Sequence, residues 1–312
     1  MDLRVIVVGL GVQGQKRRRI AGDDCVAAID IRHPDAAFRD LHGLPLDAFD
    51  AALVCVPDSA KIAILEYLIG HGKHVLVEKP LIADEENRLV RLERTARERQ
   101  VVCYVAYNHR FEPHFVRMRD LIASGELGRL YHCRLFYGNG TARLVRESDW
   151  RDRGAGVIHD LGSHLIDTAR FFFGDIGDDF ELTSVDRFEN RAPDHAAFAA
   201  PNAKPRLAFE VTLVSWRNHF GCDLFAENGS AHISSLCKWG PSAFVRRKRV
   251  LPSGRPSEEQ VTLIEEDPTW TCEYQHFKTL CRTRPPTDLG NDIWLNRALR
   301  RLGEDAQRRL SA

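Results

Sequence analysis

Three stretches carry residue types at spacings that can do chemistry. Gly9-Leu10-Gly11-Val12-Gln13-Gly14 has the G-x-G-x-x-G spacing of a phosphate-cradling turn. The first glycine allows the tight turn, the second lets a phosphate approach the backbone, and the third lets the following helix pack closely. That helix would offer free N–H groups and the positive end of its dipole to a pyrophosphate. Asp30 stands ~20 residues further on, where a carboxylate holds the adenosine ribose hydroxyls. Glycine turns alone are common, but strand, glycines, helix and acid stand here in register, which predicts a dinucleotide site. The second stretch is Glu78-Lys79-Pro80. A lysine before proline is kept out of helix, and at a strand end it would bring an ammonium to the nicotinamide; a plain salt bridge is the alternative. The third is Asp160 and His164, i and i+4 on one helix face, with Asp167 at i+7. A histidine with an aspartate one turn earlier suggests an oriented acid/base group rather than a core histidine. A metal would need a third ligand that the sequence does not nominate, so none is expected.

Alternating elements must position these residues. Residues 4–8, 25–30, 51–56, 74–77 and 101–105 read as short buried strands, with helices over 13–21, 60–70 and 84–99 between them. This pattern predicts a right-handed, doubly wound parallel sheet. Ligands bind beyond the C-terminal strand ends of such sheets, where Pro57-Asp58-Ser59, Glu78-Lys79-Pro80 and Tyr107-Asn108-His109-Arg110 fall. Lys16 to Arg19 form a basic run, expected to be a solvated helix face. After Gly128 the pattern changes. A long apolar helix over 156–173 is followed by strand-like runs at 180–188, 207–216, 221–227, 231–236, 243–251 and 260–264, and by helices at about 270–282 and 291–302. The expectation is an N-terminal Rossmann domain, 1–120, and a C-terminal open, mostly antiparallel sheet with helices on one face, 121–312.

With 44 basic and 44 acidic residues among 312, the formal charge is zero, and nothing points to nucleic acid or an anionic membrane. No apolar run reaches the ~18 residues of a membrane span, so a cytoplasmic location is expected. Eight cysteines without a C-x-x-C pair read as buried reduced thiols. The uncovered sheet face would leave Phe209, Val211, Leu213 and Phe225 for self-association, as a homodimer or homotetramer.

The glycine turn, Glu78-Lys79-Pro80, Tyr107-Asn108-His109-Arg110-Phe111-Glu112-Pro113, Trp150-Arg151 and Asp160-x-Gly162-x-His164 occur in this order. Together they resemble the glucose–fructose oxidoreductase, inositol dehydrogenase and rhizopine catabolism oxidoreductases, continuously from Arg4 to about Gly174 and more loosely beyond. The resemblance implies an oxidoreductase that transfers a hydride between NAD, with NADP less favoured, and a hydroxyl or keto carbon of a sugar, polyol or nucleotide sugar. It assigns Lys79, Asp160 and His164 to catalysis. Cofactor contacts fall to Gly9, Gly11, Val12, Gln13, Gly14, Asp30, Ile31, Arg32, Val56, Pro57, Ser59, Glu78, Lys79, Pro80 and Asn108. Substrate contacts fall to Lys79, Arg110, Trp150, Arg151, Asp160 and His164, with Arg143 and Arg146 nearby in sequence. Many members carry a histidine four residues after the proline of strand three; this chain has Lys61. The family also holds redox-neutral glycoside-cleaving or epimerising enzymes and non-catalytic nicotinamide binders, so fold alone leaves those readings open.

Overall fold

The four β-branched residues Val5–Val8 form a fully buried strand, β1, which runs through its glycine turn into helix α1, Val12–Ala21. The computed structural model describes residues 3–148 and 150–311. Strands β2 (Cys25–Ile29), β3 (Ala51–Val54), β4 (His74–Glu78) and β5 (Cys103–Ala106) join β1 in one sheet, with helices α2 (Asp58–Gly70) and α3 (Glu86–Glu98) between them. All pairings are parallel and the order is β2-β1-β3-β4-β5. The chain winds outward in both directions from β1, so the crevice of this sheet lies at the C-terminal ends of β1 and β3.

The second unit begins with helix α4 (Pro113–Ala123) and strand β6 (Leu130–Gly138). A short helix, α5 (Ala142–Arg146), precedes a π-helical turn at Ile158–Gly162, which continues as α6 (Ser163–Phe173). Strands β7 (Glu181–Asp186), β8 (His195–Ala200), β9 (Arg206–Thr212), β10 (His219–Ala226), β11 (Gly229–Ser234), β12 (Ser242–Lys248) and β13 (Glu258–Leu263) follow. They build an eight-stranded sheet, β13-β12-β11-β10-β6-β9-β8-β7, antiparallel except where β6 meets β9. Period-two alternation sends Leu135, Tyr137, Phe209, Val211, Phe220, Cys222 and Leu224 to one buried face. Phe115 of α4 meets Phe220 at 5.0 Å and Phe172 of α6 at 5.3 Å, so both helices cover that face.

The same alternation corrects the expected interface. Phe209, Val211 and Leu213 are buried under the helices. Phe225 has the opposite parity and lies with Arg134, Asp223 and His232, where Asp223 accepts from His232 at 2.7 Å. The uncovered face is therefore mainly polar.

Helices α7 (Thr269–Thr283) and α8 (Gly290–Ser311) end the chain. The domain boundary expected at 120 falls elsewhere. One unit is the chain through Asn108 together with Thr269–Asn296; the other is His109–Pro268 together with the chain from Arg297. Tyr274, Phe277 and Cys281 of α7 share a core with Val5, Val7, Leu53 and Leu76, which explains the return of this segment to the first sheet. Full burial of a side chain such as Phe277 stabilises by roughly 1.5–3 kcal/mol.

Candidate functional site

In the first unit the glycine turn is set by close approaches. Gly9 has φ +91°, and a Cβ there would lie 2.5 Å from the Cys55 carbonyl oxygen. A Cβ on Gly14 would come within 1.8 Å of the Gly9 carbonyl oxygen, so this glycine lets α1 start against the turn. Gly11 differs: it is the N-cap of α1, and a Cβ there would have no neighbour within 4 Å. The fold itself makes no demand for glycine at that place; a phosphate lying against the backbone does.

Asp30 closes the same region. Its Oδ2 accepts the Leu10 N–H at 2.7 Å, and its Oδ1 accepts those of Arg32 and His33 at 2.8 Å each. Burial alone would raise this carboxyl, but the three backbone donors outweigh it and hold the group below the usual carboxylate range. Val12 and Ile31, beside the turn and the acid, are 83% and 77% exposed. Apolar surface, free helix N–H groups and a fixed carboxylate fit the pyrophosphate and ribose of a dinucleotide.

Two buried cations hold the Glu78-Lys79-Pro80 segment. Arg17 of α1 is 1% exposed and pairs with Glu78 and with Glu273 of α7, each at 2.7 Å. Its burial opposes the charge, but the two carboxylates outweigh it and raise the guanidinium above its ordinary value. The basic run is thus not wholly a solvated face, because these acids sit far along the chain from it. Lys61 of α2 donates to the carbonyls of Pro80 at 2.9 Å and Lys79 at 3.3 Å. Lys79 itself is half-buried. Asn108, expected at the cofactor, gives its side-chain amide to Thr269 at 2.8 Å. Val56 and Pro57 lead into α2, with Ser59 exposed in its first turn.

In the second unit, Asp160 lies within the π-helical turn and His164 in the first turn of α6, so the expected regular helix is interrupted between them. Such turns recur at functional sites. Arg151 donates to Asp160 at 3.0 Å, which brings two expected residues together. His164 is 7% exposed and stacks on His109 with centroids 4.0 Å apart. Tyr137 packs 5.8 Å from His164, and its hydroxyl accepts from Lys238 at 2.9 Å. Arg110, expected on substrate, makes a two-pronged pair with the buried Asp167. Trp150 is 54% exposed, and Arg143 faces Glu147 at 3.7 Å. The sequence alone assigns no site role to His109, Tyr137, Lys238, Arg17 or Lys61. His109 belongs to the Tyr107–Pro113 motif, and the parity of β6 places Tyr137 on the covered face; nothing local in the sequence marks the burial of Arg17 and Lys61, whose partners Glu78, Glu273 and Pro80 lie elsewhere in the chain.

Among the described residues, no group of three His, Cys, Asp or Glu side chains is placed to hold a metal ion. No helix among them is long and apolar enough to cross a membrane.

Residues 3–107 match the family described as "Oxidoreductase family, NAD-binding Rossmann fold", and residues 115–231 match "GFO/IDH/MocA C-terminal domain". Inositol 2-dehydrogenase of Rhizobium meliloti (strain 1021) is 29% identical over 40% of this chain and 37% of its own length. Inositol 2-dehydrogenase of Mycolicibacterium gilvum (strain PYR-GCK) is 27% identical over 74% of this chain and 67% of its own. The first match covers well under half of that relative. Among solved structures, levoglucosan dehydrogenase in complex with NADH has a TM-score of 0.80 at 15% identity, with 98% of each chain covered. At that identity the likeness is one of fold.

Proposed function

The chain belongs to the GFO/IDH/MocA oxidoreductase family, and from that premise we propose that it moves a hydride between NAD and a hydroxyl or keto carbon of a sugar, polyol or nucleotide sugar. The observation that carries the reading is the turn at Gly9, Gly11 and Gly14 with Asp30 fixed beside it. Gly11, Val12, Gln13 and Gly14 would hold the pyrophosphate, and Asp30, Ile31 and Arg32 the adenosine half. When bound, NAD supplies the hydride acceptor or donor.

The chain's own residues supply the proton chemistry. His164 takes the proton of the substrate hydroxyl in oxidation and returns it in reduction. Lys79, just beyond the end of β4 in the first unit, supplies a cation that stabilises developing negative charge. Asp160, balanced by Arg151, orients the reacting group. A positioned proton-transfer group contributes about 10²–10⁴-fold. NAD is preferred over NADP because the Asp30 carboxylate would repel a 2′-phosphate. Self-association through the uncovered face of the second sheet belongs to the same reading, supported by half-buried Phe225 and exposed His132, which stack at 4.7 Å.

The test is a panel of inositols, aldoses, anhydrosugars and nucleotide sugars with NAD⁺, followed by NADH absorbance. At least one member is expected to give sustained NADH formation. Tight NADH binding with no turnover across the panel in either direction would overturn the reading.

A further inference from the structure

Lys61 lies one turn into α2, and its side chain is 2% exposed. An ammonium has three protons to place. In this protein one goes to the Pro80 carbonyl at 2.9 Å, one to the Lys79 carbonyl at 3.3 Å, and the third faces Asp58 at 2.6 Å. The acceptors are unusual in being consecutive main-chain carbonyls just beyond the end of β4, where sheet pairing stops: the last register pair on that strand is Glu78 with Ala106. Beyond it the backbone of Lys79 must be held by something other than the sheet. On the other flank, Arg17 holds the side chain of Glu78 at 2.7 Å.

We propose that Lys61 is a positioning residue for Lys79: its buried ammonium fixes the peptide units on which the Lys79 side chain is mounted. A group that must meet a reacting oxygen loses efficiency steeply with small displacements. Burial with paired charge is also a stabilising arrangement, so the proposal differs from a purely structural role in what removing Lys61 does to turnover. Asp58 is 39% exposed and keeps access to water when its partner is lost. The positioning therefore rests on the two carbonyl contacts rather than on the ion pair.

The inference rests on the catalytic reading of Lys79, and the experiment separates the two. Lys61→Met, Lys79→Ala and the double variant are assayed with NAD⁺ and the most active sugar of the panel, and NADH binding is followed by fluorescence titration. Lys61→Met is expected to lower kcat roughly 10-fold or more, with NADH affinity within twofold of the parent. The double variant should turn over no more slowly than Lys79→Ala alone, because a residue acting through Lys79 has nothing left to position. If Lys61→Met does not fold, Lys61→Gln, a shorter donor, is read by the same criteria. A parent-like kcat for the Lys61 variant, or losses that multiply in the double variant, would overturn the proposal. A parent-like kcat for Lys79→Ala would instead overturn the catalytic reading beneath it.

Discussion

Replacing Gly11 by alanine should separate cofactor binding from folding. The new Cβ meets no atom within 4 Å, and the residue already has φ −62° and ψ −170°, a conformation any L-residue adopts. Alanine restricts the unfolded chain, worth ~0.4–1 kcal/mol, and is a slightly poorer N-cap, so the two effects offset and stability should stay within about 1 kcal/mol. The same methyl stands where the pyrophosphate approaches the backbone, and NADH affinity should fall at least ~10-fold, about 1.4 kcal/mol. Gly14→Ala is the control with the opposite cause. Its Cβ would lie 1.8 Å from the Gly9 carbonyl oxygen. The start of α1 must therefore shift, at a typical overpacking cost of ~1–3 kcal/mol. Thermal melts without cofactor and NADH fluorescence titrations read both quantities. A Gly11→Ala protein that melts like the parent and binds NADH with unchanged affinity would refute the assignment of this turn.

Burial pushes the His74 imidazole down to about 4, and its Nδ1 takes the Val102 N–H at 2.9 Å. The unfolded imidazole titrates near ~6.5, so the stability this group supplies is present above that pH. It is lost progressively as pH falls toward 4, by up to roughly 3 kcal/mol; denaturant melts from pH 7.5 to 4 should show the decline, and a His74→Asn protein should lack that part of it. Glu112 is the reverse case: burial raises its carboxyl above the usual range. Its contribution is therefore full below the unfolded value near ~4.3 and lost as pH rises through the folded value, so Glu112→Gln should gain stability relative to the parent at pH 8 but not at pH 4. Arg17→Met would leave Glu78 and Glu273 facing each other without their cation and should cost about 3–5 kcal/mol in urea unfolding; an unchanged midpoint would contradict the buried pairing. With Asp30 held as an acceptor, kcat/KM should favour NAD⁺ over NADP⁺, and a clear preference for NADP⁺ would remove Asp30 from the ribose.

The sequence made the glycine turn, Asp30, the strand-end Lys79 and the alternation of the first sheet readable, because each is a local pattern. Features set by partners far along the chain were not. Arg17 looked like part of a solvated run, and only Glu78 and Glu273 make its burial tolerable. α7 read as one of two closing helices, while Phe277 and Tyr274 belong to the core of the first sheet. β8, His195–Ala200, escaped notice because HAAFAA lacks β-branched residues; its Ala196, Phe198 and Ala200 still alternate inward. The expected interface failed on parity: Phe209 and Val211 point under the helices, and only a pairing register shows which face is covered. At the Asp160–His164 motif the spacing was legible but the π-helical turn was not, and the stack of His164 on His109 joins residues from separate elements.

Transfer of a label tests the central claim most directly. The most active sugar of the panel, deuterated at the oxidised carbon, is turned over with NAD⁺ and the nicotinamide product analysed by mass spectrometry. One deuterium should appear in the reduced nicotinamide for each sugar oxidised, and Lys79→Ala or His164→Ala should slow its arrival by roughly 10²-fold while the proteins melt like the parent. Product formation with no deuterium in the nicotinamide, or label transfer at the parent rate by both variants, would contradict the account.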